Sequence, residues 1–225
     1  MATILGQRAV QNTRGRFLDV GCGNGSLLRA FVRLHPEWSL AGTELDPRHQ
    51  REVEALCGQG RFFTGDLAHV EGSFDIIAVV HLMEHLTEPA ALLKTILGKL
   101  AKGGRVLIQV PLWQENPFDL LVTDHCLHFN QECLVETMRL AGLQPIFISR
   151  EVVPRELTVI AAHTPGRTPM PGTNPPDSSN ELFEKETACN SSNSFPPPAF
   201  STLEQAVSWL VQVRDMAMSA MANSR

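Results

Sequence analysis

The chain predicts an α/β fold, a doubly wound and mostly parallel sheet in a three-layer α/β/α arrangement. Three observations predict it. Apolar strand-like runs alternate with helical patterns through the first 164 residues, and such alternation builds a parallel sheet covered on both faces. The first run, Phe17-Leu-Asp19-Val, passes into Gly21-Cys-Gly-Asn-Gly25 and then straight into a helix. Single acids, Asp19, Glu44 and Asp66, stand at the ends of the first three strands, the edge at which open α/β sheets bind ligands.

The elements follow in order. A helix is expected over Ser26–Leu34, then a strand over 39–45 that carries Glu44. Asp46 before Pro47 reads as an N-cap with proline at the first helical position, opening a helix over 47–57. Strands are expected at 61–65 and 74–80, and a helix at 88–100 from the spacing of Leu92, Leu93, Ile96, Leu97 and Leu100. A strand at 105–110 precedes a long irregular stretch. Asn130 opens and Gly142 closes a helix over 131–141, and runs at 144–150 and 156–163 read as a hairpin.

Beyond residue 164 the composition changes. Residues 165–200 are dominated by Pro, Ser, Asn, Thr and Gly, which marks a linker or disordered arm after a domain at 1–164. Ser201 and Glu204 then form a capping-box pattern ahead of an amphipathic helix in the segment 201–225, with Leu203, Val207, Leu210, Val213, Ala217 and Met221 on one face. Three destinations are open for that face: the domain itself, as a lid; a second copy, as a homodimer; or a further domain absent from this sequence.

Composition sets bounds on function. Of 225 residues 43% are hydrophobic, enough for a core, and a net charge of −5 without a basic stripe excludes nucleic acid as an expected partner. No apolar run reaches the 18–20 or so residues of a membrane span, and no signal-peptide pattern opens the chain, so a cytoplasmic location without membrane contact is expected. The five cysteines are scattered, which predicts reduced thiols.

The glycine turn defines the candidate ligand. Gly21, Gly23 and Gly25 let a ligand approach the main chain, and the helix behind them offers unpaired N–H groups. A dinucleotide fingerprint needs its third small residue at position 26, which is Ser26; the tighter G-x-G-x-G after an acid suits a ligand with an ammonium group and no pyrophosphate. S-adenosylmethionine is such a ligand. On this reading Asp19, Gly21, Cys22 and Gly23 cradle its amino-acid part. Glu44, with Leu45 beside it, accepts from the ribose hydroxyls, and Asp66 accepts from the adenine amine while Leu67 packs on the ring. For Cys22 small size inside the turn is a sufficient reason, with a nucleophilic role as the alternative. An NAD-dependent oxidoreductase is the competing reading of the turn, and Ser26 disfavours it.

These residues together resemble a class I S-adenosylmethionine-dependent methyltransferase of the small-molecule and sugar-modifying type, over residues 15–164. The resemblance extends to Ser73-Phe-Asp-Ile-Ile-Ala-Val-Val-His81-Leu-Met-Glu84-His85, similar to the family's fourth strand and Glu-His signature, and to Leu100-Ala-Lys-Gly-Gly-Arg-Val-Leu-Ile-Gln-Val-Pro111, similar to its fifth. It implies a Rossmann-like sheet with an antiparallel last strand. It also implies that His81 lies against the methionine part of the cofactor, and that a small-molecule acceptor, a sugar or sugar-nucleotide among the candidates, is methylated at oxygen or carbon. The alternative is a domain that binds S-adenosylmethionine or S-adenosylhomocysteine without catalysis.

Methyl transfer needs alignment and exclusion of water, and a base when the acceptor is a hydroxyl or an acidic carbon. The chain has no tyrosine, so no phenolate can serve. In the stretch 112–129 the resemblance directs attention to Asp124, His125 and His128 as proton-handling residues, an acid orienting a neighbouring imidazole. The other reading of both histidines is that they pin the loop by hydrogen bonds to backbone; Glu84 and His85 are expected to hold their own turn. A metal site from His125, His128 and Cys126 or Cys133 lacks a recognised spacing, and none is expected.

Overall fold

The computed structural model describes residues 14–164. The linker at 165–200, the helix at 201–225 and a homodimer through that helix lie outside the described residues. Seven strands form one sheet in the order β3-β2-β1-β4-β5-β7-β6: β1 Arg16–Val20, β2 Ser39–Glu44, β3 Phe62–Thr64, β4 Phe74–Val80, β5 Leu100–Pro111, β6 Leu143–Ser149 and β7 Glu156–His163. All neighbours from β3 to β5 are parallel, whereas β7 runs antiparallel to both β5 and β6. The Rossmann-like, mostly parallel α/β sheet with an antiparallel last strand expected from the sequence is therefore the fold observed.

Alternation along β1 explains the layers. Phe17 joins one apolar cluster, with Leu28 and Phe31 of helix α1 (Ser26–Leu34) and Val53 of α2 (Gln50–Cys57). Leu18 and Val20 point the other way, into the cluster shared with Leu93 and Ile96 of α3 (Pro89–Lys99) and Leu134 and Met138 of α4 (Gln131–Leu140). Successive strand side chains face opposite sides, so one strand feeds two cores. The Phe17 and Phe31 rings stack with centroids 4.1 Å apart, locking α1 onto its strand.

Three boundaries differ from the expected ones for local reasons. Asp46 does cap, accepting from Arg48 N–H at 2.8 Å, but Pro47–His49 is a 3-10 turn and α2 starts only at Gln50. Sheet pairing resumes at Leu100, opposite Phe74, so β5 is longer than the apolar run 105–110; an irregularity in register absorbs the Gly103-Gly104 pair. Within the stretch 112–129, Pro117–Leu121 forms a 3-10 turn, and a bridge from Leu112 to Phe129 closes the loop at its base. Asn130 caps α4 as expected, its side chain accepting from Cys133 N–H at 2.7 Å.

Candidate active site

The glycine turn is bound to β2. Gly21 and Cys22 both donate backbone N–H groups to the Thr43 carbonyl at 2.9 Å, and Gly21, Gly23 and Gly25 take φ of 74°, 51° and 76°, angles that strain any residue with a Cβ. Gly42 was not singled out by the sequence, yet the turn depends on it: a Cβ there would stand 2.7 Å from Cys22 Sγ. The Cys22 thiol thus packs into the core over Gly42, and burial pushes its pKa well up, a setting that removes nucleophilic character.

A cavity of about 350 Å³ opens at the carboxyl ends of β1, β2 and β3, within the range of small-molecule sites. Gly21, Glu44, Leu45, Asp66 and Leu67 line it together with Leu82, whose side chain lies against Gly21, and Leu86. The Glu44 carboxylate is held from two sides, Oε2 accepting from Gly23 N–H at 2.9 Å and Oε1 from Leu45 N–H at 2.7 Å. A carboxylate has about four lone-pair sites, so both oxygens keep room for ribose hydroxyls. Asp66 caps its own 3-10 turn through Oδ1, accepting from Ala68 N–H at 2.8 Å, and is exposed beside the buried Leu67. No atom stands within 4 Å of where a Cβ at Gly23 or Gly65 would lie, which leaves open space at the cavity rim.

Asp19 lies beneath the turn rather than on the cavity wall, 3% exposed. Burial first, and the Glu44 charge second, push its pKa up to about 7. A cation brought near the turn would favour its ionised form.

His81 closes β4 at a φ of 51° and bridges two acids. Its Nδ1 is 3.2 Å from Glu84 Oε1 and its Nε2 is 3.1 Å from Glu156 Oε1. Partial burial opposes the charge on the imidazolium, but the hydrogen bonds and charges of Glu156 and Glu84 outweigh it and raise its pKa to about 10. His81 is therefore a standing cation at neutral pH and not a base. Gln109 donates to the second Glu156 oxygen. Neither Gln109 nor Glu156 was foreseen; both reach the site because β7 returns beside β5.

The histidines of the 112–129 loop converge on an acid other than the expected one. Asp124 is exposed and turns toward His85, whose Nδ1 lies 3.1 Å from the Asp124 carbonyl and 3.4 Å from its Oδ2. Asp119, 3% exposed, takes the orienting position: His128 Nδ1 is 2.9 Å from its Oδ2, and His125 Nδ1 is 2.8 Å from its Oδ1. The first contact is a hydrogen bond; the second lacks hydrogen-bond alignment. The 3-10 turn Met83–His85 joins this group to the cavity. Leu82 and Leu86 face the cavity, while the His85 ring meets His125 edge-on at 4.8 Å and the Glu84 carbonyl accepts from Cys126 and Leu127 N–H.

The geometry defines a cleft at the carboxyl ends of the strands of a Rossmann-like sheet. The chain belongs to the class I S-adenosylmethionine-dependent methyltransferases: the family model described as a methyltransferase domain matches residues 2–146. It is 30% identical over 118 residues to an uncharacterized methyltransferase of Mycobacterium sp. (strain KMS), covering 50% of this chain and 46% of that protein. It is 30% identical over 101 residues to a ubiquinone biosynthesis O-methyltransferase of Xanthomonas campestris pv. campestris (strain B100), covering 41% of each. The chain thus spans less than half the length of these relatives. An O-methyltransferase from neocarzinostatin biosynthesis, solved with S-adenosylmethionine and 2-hydroxy-5-methyl naphthoic acid, shares the fold at a TM-score of 0.58 and 18% identity, over 72% of this chain and 52% of that one.

Proposed function

We propose that this chain binds S-adenosylmethionine and transfers its methyl group to a hydroxyl oxygen of a small molecule. The observation that carries the reading is the cavity at the strand ends, with its Glu44 carboxylate pre-set by two backbone N–H groups and the Asp119–His125–His128 group one short turn away. The donor set fits the cofactor: an acid for ribose, a buried leucine for a ring face, an ionisable Asp19 under a turn that leaves room for an ammonium group. The relatives named as O-methyltransferases support oxygen as the acceptor atom.

When bound, S-adenosylmethionine supplies a methyl on a positively charged sulfur, open to in-line displacement. The rest falls to the chain. Glu44 and Leu67 fix the nucleoside, and the apolar side chains of Leu82 and Leu86 exclude water from the cavity. The acceptor hydroxyl must shed a proton as the oxygen–carbon bond forms, and on this reading His125 or His128, beside Asp119, takes it. Exposed Phe118, Leu121 and Val122 on the same loop favour an acceptor with an apolar body over the sugar that the resemblance suggested.

The test joins binding to turnover. Calorimetric titration with S-adenosylmethionine, S-adenosylhomocysteine and NADH should give micromolar binding of the first two alone; binding of NADH alone overturns the cofactor reading. Incubation with S-adenosylmethionine and a panel of hydroxylated aromatic compounds should give products heavier by one methylene. Tight cofactor binding with no acceptor consumed across the panel would favour the non-catalytic binding domain.

A further inference from the structure

We infer that Asp119, His125 and His128 form a binding site for a divalent transition-metal ion of the zinc type. One ligand atom from each residue can be chosen so that all lie within 4.8 Å of one another, and the set is two imidazoles and one carboxylate. That combination suits Zn²⁺, Fe²⁺ or Co²⁺ and leaves coordination positions open. The site rests on the 112–129 loop and goes beyond the methyltransferase reading, since metal binding is measurable with neither cofactor nor acceptor present.

Four observations separate a metal site from an ordinary ion pair. The Asp119 carboxylate is buried, and its two oxygens meet an imidazole nitrogen each, at 2.8 and 2.9 Å. Nitrogen and oxygen ligands at about 2.0–2.2 Å from a tetrahedral zinc ion stand about 3.4 Å apart, so the two contacts need open by only about half an ångström to admit an ion. His125 Nδ1 is buried and has no aligned hydrogen-bond partner although an acceptor stands 2.8 Å away. His128, by contrast, is partly exposed at 29%, which leaves a side through which an ion can arrive and an acceptor oxygen can reach it.

Backbone geometry supports the placement. Asp119 donates its N–H to the Asn116 carbonyl at 2.9 Å and His125 donates to Val122 at 3.2 Å, so the two ligands are fixed by successive turns, and Phe129 ties the segment to Leu112 beside His128. With an ion bound, the two imidazoles would be ligands and the ion would act as a Lewis acid on a coordinated hydroxyl, lowering its pKa; in the ion-free protein the imidazoles keep the proton-accepting role proposed above. A second group, Glu84, His85 and His125, shares one histidine with the site; Glu84 Oε1 is engaged by His81 while its buried Oε2 has no hydrogen-bond partner, so the neighbouring group is the competitor that the experiment must separate.

The experiment is titration of the chelator-stripped protein with Zn²⁺ by calorimetry and with Co²⁺ by visible absorption, without cofactor. Wild type should bind one ion per chain at micromolar affinity or tighter, with a Co²⁺ spectrum of nitrogen and oxygen ligation. His128→Ala, a change at a partly exposed position, should weaken binding tenfold to a hundredfold, and Asp119→Asn by at least as much, with circular dichroism unchanged for His128→Ala. No binding by wild type overturns the site. Retained affinity in His128→Ala with loss in Glu84→Gln also overturns it and moves the ion to the neighbouring group. Cofactor affinity measured in parallel reports on the methyltransferase reading separately.

Discussion

At the scale of single residues, function turns on which acid meets which imidazole. The sequence offers Asp119 and Asp124 on one loop and places Asp124 next to His125, so adjacency points to the wrong partner; the 3-10 turn at Pro117–Leu121 swings Asp119 inward while Asp124 stays exposed. A loop's direction of turn depends on what closes its base, here Leu112 and Phe129, and no periodicity encodes it. Glu44 was legible because a strand end fixes where its side chain goes. Glu44→Ala should weaken S-adenosylhomocysteine binding by about 1.5–3 kcal/mol, the value of charge-assisted hydrogen bonds, as measured by titration. Unchanged affinity would show that no ribose contacts this carboxylate. His125→Ala should leave cofactor affinity within about twofold of wild type and lower turnover of an identified acceptor by about 10²-fold or more.

At the scale of elements, fit between neighbours decides what each position tolerates. The strands and helices were readable from alternation and caps, whereas the contact between the glycine turn and β2 was not, because Gly42 looks like any glycine in an apolar run. Its missing Cβ makes room for Cys22, and Leu28 closes in behind at 3.2 Å. Gly42→Ala should destabilise the fold by about 1–3 kcal/mol through overpacking, and adding Cys22→Ala should return part of that loss. Thermal melts of the three variants check it; equal destabilisation with and without the cysteine change would place the clash elsewhere. Asn130→Ala removes the cap of α4 and should cost about 1 kcal/mol, read in the same way.

At the scale of the whole molecule, two ionisable groups, the buried Asp19 and the part-exposed His81, tilt stability in the same direction. Asp19 has its pKa raised to about 7 by burial, so its contribution is full below its ordinary value of 3.8 and is lost as pH rises through 7. His81 is raised from 6.5 to about 10, so its contribution is full below 6.5 and is lost as pH climbs to 10. The melting temperature should therefore fall from pH 5 toward pH 9. Asp19→Asn should flatten the lower part of that slope and His81→Gln the upper part. A melting temperature that rises over the interval would contradict both assignments.

The antiparallel last strand was implied by family likeness together with the hairpin, whereas the strand order was not, and the consequence for the site lies in β7. That strand starts at the cleft, where Glu156 pairs with Pro111, and ends beside the start of β5, with His163 near Arg105. The seven steps along its eight residues carry the chain roughly 23 Å from the cleft end of the sheet to the opposite end. A fluorophore attached at His163 would stand clear of any ligand exchange while remaining within energy-transfer range of a labelled nucleoside. The same reversal that brings Glu156 to the active edge thus provides the protein with a built-in ruler for watching that edge fill.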